Sequence, residues 1–263
     1  MRLAQVGKRF DGRGGTVAVD DFTLDVAQGE FLVIVGPSGC GKTTVLNMLA
    51  GLERPSGGSV MLDGVEITGP GPARGVMFQD YALFPWQTVR ENVGFGLKHG
   101  PAGAALSADA RAARVRSCID LVGLKGSEDK YPHQLSGGMR QRAALARLLA
   151  NEPEVLLMDE PLAALDAQTR LILQDELLRI WGQDRPAASR RTVVFITHAI
   201  DEAVFLADRV AVMTAHPGRL KSLIDIRLVR PRNDGTRASA EFQALTQHIW
   251  GLIRDEAYRA TVT

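Results

Sequence analysis

The chain of 263 residues has few cysteines, no long apolar run and almost no net charge. Its two cysteines, Cys40 and Cys118, lie far apart in the sequence, so neither a disulfide framework nor a zinc site is indicated. No apolar run approaches the roughly 18 residues that a membrane-spanning helix needs, and the first residues lack the apolar core of a signal peptide. The formal net charge of +1, with both signs interspersed, favours neither nucleic acid nor an acidic membrane surface as a partner. We therefore expect an ordinary globular protein that stays in the cytoplasm.

Glycine-rich turns, in contrast, are present at two points that can each hold a phosphate. The first is Gly36-Pro-Ser-Gly-Cys-Gly-Lys-Thr43, which matches the pattern G-x-x-x-x-G-K-[ST]. In such a loop, backbone N–H groups surround the phosphates, the lysine reaches the terminal ones and the hydroxyl after it binds Mg²⁺. A predicted strand precedes the loop and a predicted helix follows it, as this mechanism requires. We therefore predict that ATP is bound by Gly36, Pro37, Ser38, Gly39, Cys40, Gly41, Lys42, Thr43 and Thr44.

The second glycine turn is Leu135-Ser-Gly-Gly-Met139, and it leads into a helical pattern that ends near Ala150. The free N–H groups and the dipole at a helix N-terminus attract an anion, so Ser136, Gly137 and Gly138 are predicted nucleotide contacts. One nucleotide seldom needs two such sites from a single chain. We infer that two copies, or two homologous chains, meet head to tail with ATP between them.

Three short apolar runs are predicted to be buried parallel strands: Phe31–Val35, Val155–Met158 and Thr192–Ile196. Each leads into a polar motif, which places the reactive groups at the carboxyl edge of an α/β sheet. Runs around Phe22–Val26 and Val60–Asp63 suggest a small antiparallel sheet near the N-terminus.

The pattern becomes helical between about residues 89 and 151 and returns to strands afterwards. We predict an ATP-binding core at 1–88 and 152–218, which includes the antiparallel β subdomain. A helical subdomain at 89–151 carries the second glycine turn, and a helical tail occupies 219–263. In the tail, apolar residues at helical spacing predict that one face packs on the body; they are Phe242, Leu245, Ile249, Leu252 and Ile253.

Four polar side chains are predicted to act on the nucleotide. Asp159 closes a strand and would hold Mg²⁺, while Glu160 beside it would orient and deprotonate the attacking water. His198 at the next strand end would hydrogen-bond the γ-phosphate, although a single such histidine is more often structural. Gln79 would reach Mg²⁺ or the attacking water.

Two further residues have an ordinary structural explanation beside the functional one. Asp166, shortly after the catalytic strand, is predicted to cross a dimer seam, and a helix N-cap explains it equally well. Phe10 is predicted to stack on adenine, with core packing nearly as good an explanation.

Together these residues resemble the ATP-binding subunits of ABC transporters along essentially the whole chain. The loop from Gly36, Gln79, the Ser136 signature, Asp159-Glu160, the Asp166 loop and His198 occur in the family's order. Met139 departs from the family, which usually has Gln there. The resemblance implies a P-loop NTPase (RecA-like) core with an N-terminal antiparallel β subdomain and an inserted α-helical subdomain.

Segments at Ile67–Gln79 and Leu83–Leu97 are similar to the narrower group of nitrate, sulfonate and taurine importers. That resemblance implies a peripheral protein on the cytoplasmic face of the inner membrane, with ATP and Mg²⁺ as cofactors. It implies as partners a second copy, two membrane-spanning permease subunits and, indirectly, an extracytoplasmic solute-binding protein. The aromatic cluster Tyr81, Leu83, Phe84 and Trp86 would line a groove for a short permease helix, although burial in the fold explains some of its members.

Two other classes of protein fit less well. A soluble ABC-type ATPase acting on nucleic acid or ribosomes usually shows coiled-coil inserts, paired cassettes, zinc cysteines or basic arms, which we do not find. A guanine-nucleotide switch would need an Asn-Lys-x-Asp base reader, which is also missing.

Overall fold

A computed structural model describes residues 1–11 and 15–262, so residues 12–14 of the predicted core and residue 263 of the predicted tail lie outside the described residues. The strands are β1 Arg2–Phe10, β2 Thr16–Asp25, β3 Phe31–Val35, β4 Gly57–Leu62, β5 Val65–Glu66, β6 Arg74–Met77, β7 Val155–Asp159, β8 Thr192–Ile196, β9 Arg209–Met213 and β10 Leu220–Asp225. The helices are α1 Lys42–Ala50, α2 Val89–His99, α3 Ala108–Leu121, α4 Gly137–Ala150, α5 Ala167–Trp181, α6 Ile200–Leu206, α7 Asp234–Arg237 and α8 Ala240–Val262. Among these described helices, none is long and apolar enough to cross a membrane.

The central sheet has the order β10-β9-β3-β8-β7-β6, and its strands are parallel except for β10. The three strands predicted from the apolar runs lie side by side in its middle, and every residue of β3, β7 and β8 is buried. Alternate β3 residues face opposite sides, because side chains alternate along a strand. Phe31 and Val33 join the core under the helical segment and α6, whereas Leu32 and Ile34 join the core under α1.

The predicted antiparallel sheet is present with the order β2-β1-β4-β5. Its buried residues, among them Leu3 and Phe22, pack in one cluster with Val45 and Leu46 of α1. The sheet thus covers the helix that follows the phosphate loop. The Val19 backbone also forms an isolated bridge with Gly218, so this sheet reaches the far side of the loop.

Between β6 and β7, the segment contains α2, α3, α4 and two short 3-10 turns. Local capping explains where its helices begin. Thr88 and Glu91 form a reciprocal capping box at α2, and Ser136 accepts a hydrogen bond from the Met139 N–H at α4. The three helices pack on one another and on the face of the central sheet that carries Phe31 and Val33.

The tail departs from the helical prediction for 219–263. Its first element is the strand β10, which pairs antiparallel with β9 and completes the edge of the central sheet. The short segment Leu220–Asp225 pairs with the backbone groups that would otherwise be free at the edge of β9. Helical structure begins only at α7 and continues in α8, which places Phe242 and Ile249 in the core as the spacing predicted.

Candidate nucleotide-binding site

The phosphate loop connects the buried β3 to α1, at the carboxyl edge of the central sheet. Two of its glycines, Gly36 and Gly41, lie where a side chain would collide with its neighbours. A Cβ at Gly41, which has φ of 93°, would lie 2.7 Å from the carbonyl oxygen of Ala18. A Cβ at Gly36 would lie 3.0 Å from the Cys40 sulfur and 3.1 Å from the Met213 Cβ. Only glycine at these positions lets the backbone make this close turn.

Lys42 lies over the loop that it is predicted to serve. Its ammonium group donates hydrogen bonds to the carbonyl oxygens of Gly36, at 2.9 Å, and Pro37, at 2.8 Å. An ammonium has three donors, and the third lies 3.9 Å from the sulfur of Cys40, a weak acceptor that a phosphate oxygen can replace. Lys42 is only 5% exposed, so its ammonium charge is held in a defined position at the phosphate loop.

Asp159 ends β7 beside this loop and is 5% exposed. Its Oδ1 atom is buried and has no hydrogen-bond partner among the described residues. Burial raises the pKa of this carboxyl group, and a hydrogen bond from the Thr43 side chain and the charge of Lys42 oppose part of that rise. A buried carboxylate oxygen without a partner, next to a hydroxyl, suits a hard cation such as Mg²⁺. Asp159 and Thr43 therefore fit the metal site that the sequence predicts.

Glu160 and His198 are in direct contact at the ends of the neighbouring strands β7 and β8. The distance from His198 Nε2 to Glu160 Oε1 is 2.7 Å. Glu160 has φ of 48°, and its N–H donates to the carbonyl of Ile196 at 3.0 Å. The two side chains border a cavity of about 200 Å³, which also contacts Thr197 and is large enough for water.

The second glycine turn lies at the N-terminus of α4. Ser136 is exposed and caps this helix, and Gly137 has open space where a side chain would be. A Cβ at Gly138 would lie 2.9 Å from Leu165, so the helix N-terminus packs closely against the loop that follows the catalytic strand. The remaining N–H groups of this first turn have no intrahelical acceptor and can receive an anion.

The other predicted residues are distributed around these groups. Gln79 is exposed in the turn after β6, and the N–H of Tyr81 closes that turn on the Phe78 carbonyl at 3.0 Å. Phe10 is 40% exposed at the end of β1, where the Lys8 ammonium lies 4.9 Å from its ring centre. Asp166 caps α5: its carboxylate accepts a hydrogen bond from the Thr169 N–H, and this bond lowers the pKa of Asp166. The adenine contact and the seam contact stay predictions.

Sequence reasoning missed several residues that hold this edge in place. Glu202 is 3% exposed and accepts a hydrogen bond from Gln174 at 3.1 Å, and burial raises its pKa although Thr197 also bonds to it. Arg147 of α4 reaches the loop after Gln79. A lone arginine among small apolar residues in Ala143–Ala150 was the available signal, because a charge on a buried helix requires partners.

A parallel sheet that delivers a phosphate loop, a buried carboxylate and a Glu–His pair to one edge defines a phosphate-loop ATPase. The comparisons agree with this class. Residues 19–163 match the family model described as ABC transporter. An uncharacterized ABC transporter ATP-binding protein of Methanocaldococcus jannaschii is 49% identical, over 99% of this chain and 93% of that protein.

Relatives with a stated transport role are similar over most of their length. The nitrate import ATP-binding protein of Synechococcus elongatus is 48% identical, over 86% of this chain and 81% of its own. The aliphatic sulfonates import ATP-binding protein of Bacillus subtilis is 45% identical, over 91% and 88%. A dimeric ATP-binding cassette solved with ADP and Pi superposes with a TM-score of 0.76 at 31% identity, over 86% of this chain and 98% of that one.

The chain belongs to the ABC transporter family, as an ATP-binding subunit that hydrolyses ATP. Its fold is the P-loop cassette fold predicted from the motifs.

Proposed function

We propose that the chain energises an ABC-type importer of small anions or organosulfonates, the class that includes taurine, alkanesulfonates and nitrate. The main observation in support of ATP hydrolysis at this site is the contact between Glu160 and His198, beside the unpartnered carboxylate oxygen of Asp159. The nitrate and aliphatic sulfonate import relatives support the transported class.

In the proposed reaction, the phosphate loop binds the nucleotide and Lys42 uses its third donor on the terminal phosphates. Thr43, Asp159 and Gln79 are the residues that would hold Mg²⁺, and the ion would neutralise charge on the phosphates. Glu160 accepts the proton of the attacking water, and His198 keeps the carboxylate and the γ-phosphate in line. Phe10 stacks on the adenine ring.

Two copies close head to tail in this proposal, so that Ser136, Gly137 and Gly138 of one copy cover the ATP held by its partner. Asp166, which already caps α5, lies on the same seam. The exposed Ser136 at the N-terminus of α4 and the dimeric relative solved with ADP and Pi support this arrangement. One nucleotide seldom needs two such phosphate sites from a single chain, and the head-to-tail arrangement gives each nucleotide one site from each copy.

A cavity of about 520 Å³ beside the Gln79 turn is proposed to receive a short helix of one permease subunit, so that the two copies of the dimer together bind two membrane-spanning permease subunits. Its wall is mostly apolar and includes Val76, Phe78, Phe84, Phe95 and Leu148. This groove would place the protein on the cytoplasmic face of the membrane, and an extracytoplasmic solute-binding protein would act through the permease.

The test of this function is the Glu160→Gln variant of the full chain. We expect ATP binding to remain while turnover falls by about 100-fold or more, because the group that accepts the proton is lost. The slowed variant should accumulate a dimer with ATP and Mg²⁺ in size-exclusion chromatography. Glu176→Gln is the matched control, because the Glu176 side chain is 32% exposed and pairs with Arg179 of the same helix, and it should keep normal turnover.

A variant that binds ATP but stays monomeric would contradict the head-to-tail arrangement, and normal turnover would contradict the role of Glu160. Nucleic acid is included in one arm of the assay. Strong stimulation by nucleic acid, with none by a reconstituted permease, would favour the soluble ABC-type ATPase instead.

A further inference from the structure

Arg147 of α4 makes an unusual contact with the loop that follows Gln79. One of its terminal nitrogens donates a hydrogen bond to the carbonyl of Ala82 at 2.6 Å, and the other to the carbonyl of Tyr81 at 2.7 Å. Its guanidinium also lies 5.8 Å from the ring centre of Phe84. Charge-assisted, two-pronged hydrogen bonds of this kind fix both distance and orientation.

The backbone that Arg147 grips is strained. Tyr81 has φ of 63° and Ala82 has φ of 43°, so two consecutive residues with side chains lie in the left-handed region. Such conformations persist only where surrounding contacts impose them. Burial lowers the pKa of Arg147, although the charge of Asp80 opposes this. The guanidinium is partly buried, and the two carbonyls are its hydrogen-bond partners in the loop.

The far end of the same loop is held by Asn92 of α2, which is fully buried. Its side-chain oxygen accepts from the Phe84 N–H at 2.8 Å, and its nitrogen donates to the carbonyls of Phe84, Gln87 and Thr88. Residues 81–88 are therefore bonded to the helical segment, although they were predicted to belong to the core. Gln79 and Asp80 form the turn between this bonded segment and β6.

We propose that Arg147 is a positioning residue that sets Gln79 and couples the two nucleotides of the dimer through α4. Ser136, which faces the partner's ATP in the proposed dimer, starts this helix, and Arg147 lies about 16 Å further along it at about 1.5 Å per residue. When the N-terminus of α4 moves on the partner's ATP, Arg147 transmits that movement to the Gln79 turn, which lies at the ATP bound by its own chain. This inference rests on the proposed function.

The test compares Arg147→Ala, Arg147→Lys and the double variant Arg147→Ala with Ala82→Gly. Arg147→Ala should bind ATP within about threefold of normal but lose about tenfold in kcat, since remote misplacement of a positioned group slows the chemistry. Its Hill coefficient for ATP should fall toward one. Lysine, a single point charge, should restore only part of the activity.

The double variant distinguishes two roles of Arg147: holding the strained backbone of Ala82 in place, or only packing against the loop. Glycine adopts the left-handed conformation without strain, so Ala82→Gly should recover much of the lost kcat. Arg142→Ala is the matched control, because Arg142 lies on the same helix and donates to the carbonyls of Val122 and Gly123 instead. It should leave kcat and the Hill coefficient unchanged.

Normal kcat and cooperativity in Arg147→Ala would overturn the proposal, and so would a loss that Ala82→Gly does not rescue. Failure of the proposed function can be distinguished from failure of the Arg147 proposal, because the former would already appear in the unmodified chain. If the wild-type chain does not hydrolyse ATP and the Glu160→Gln variant does not dimerise, the proposed function is wrong, whatever the Arg147 variants do.

Discussion

Glu160 combines a left-handed backbone with a side chain that is almost enclosed. Non-glycine residues in this region are uncommon and cluster at functional sites, because surrounding structure must hold them there. Here the holding contacts are the Ile196 carbonyl, which accepts the Glu160 N–H, and His198, which lies 2.7 Å from the carboxylate. The backbone strain thus aims the carboxylate at the edge where the sheet presents the phosphate loop, which is consistent with the proposed role as base.

The alkylation rate of Cys40 shows whether nucleotide occupies the phosphate loop. Its side chain is fully buried and burial raises the pKa of its thiol, although Lys42, with its nitrogen 3.9 Å from the sulfur, opposes part of the rise. Because the thiolate is the reactive form, alkylation should be slow at neutral pH and faster as the pH rises. ATP at ten times its Kd should slow labelling by about tenfold, and the alkylated chain should no longer bind ATP.

The measurement uses Cys118→Ser, so that Cys40 is the sole thiol, and mass spectrometry to follow the adduct. In the converse variant, Cys40→Ala, labelling of Cys118 should not respond to ATP. Equal labelling of Cys40 with and without ATP would mean that nucleotide does not occupy this loop.

At the scale of elements, a buried arginine ties the tail to α6. Arg232 is 3% exposed, and its guanidinium donates to the carbonyls of Val204, Phe205 and Ala207 and to that of Ile226. It therefore satisfies the free carbonyls at the C-terminus of α6 and fixes the chain that follows β10.

Replacing Arg232 with Met keeps an apolar stem but removes every donor, which leaves buried carbonyls without partners. We expect Arg232→Met to lose about 3 kcal/mol of unfolding free energy and roughly 6 °C or more in Tm. Arg227→Met is the control, because the Arg227 side chain is 83% exposed and pairs only at the surface. Equal Tm values for the two variants, measured by calorimetry, would contradict this role.

The sequence predicted those elements whose pattern is set locally. Apolar runs identified β3, β7 and β8, and the glycine turns identified both helix starts at the nucleotide, because each depends on neighbouring residues alone. The strand β10 was missed because it exists through pairing with β9, a contact that periodicity does not reveal. The grip of Arg147 on Tyr81 and Ala82 was missed for the same reason, since it joins residues more than 60 positions apart.

At the scale of the whole molecule, the aromatic cluster after Gln79 divides between core and groove. Tyr81 and Leu83 pack against the core, whereas Phe84 lines the cavity and Trp86 is 71% exposed, with its ring centre 5.7 Å from that of Phe84. Replacing Tyr81 would therefore disturb packing as well as docking. Phe78, which is 38% exposed and also lines the cavity, is the better target.

The double variant Phe78→Ser with Trp86→Ser tests whether this groove transmits ATP hydrolysis to a permease. Neither side chain belongs to the buried core, since Phe78 is 38% and Trp86 is 71% exposed, so ATP binding and basal turnover should stay within about twofold of normal. Solute uptake by the reconstituted complex should fall by about tenfold or more, because exposed aromatic anchors supply much of the binding energy at an interface. Val229→Ser with Trp250→Ser removes two other exposed apolar side chains, 82% and 55% exposed, and should leave uptake unchanged. Normal uptake in the groove variant, or a parallel loss of ATP binding, would remove the groove from the coupling mechanism.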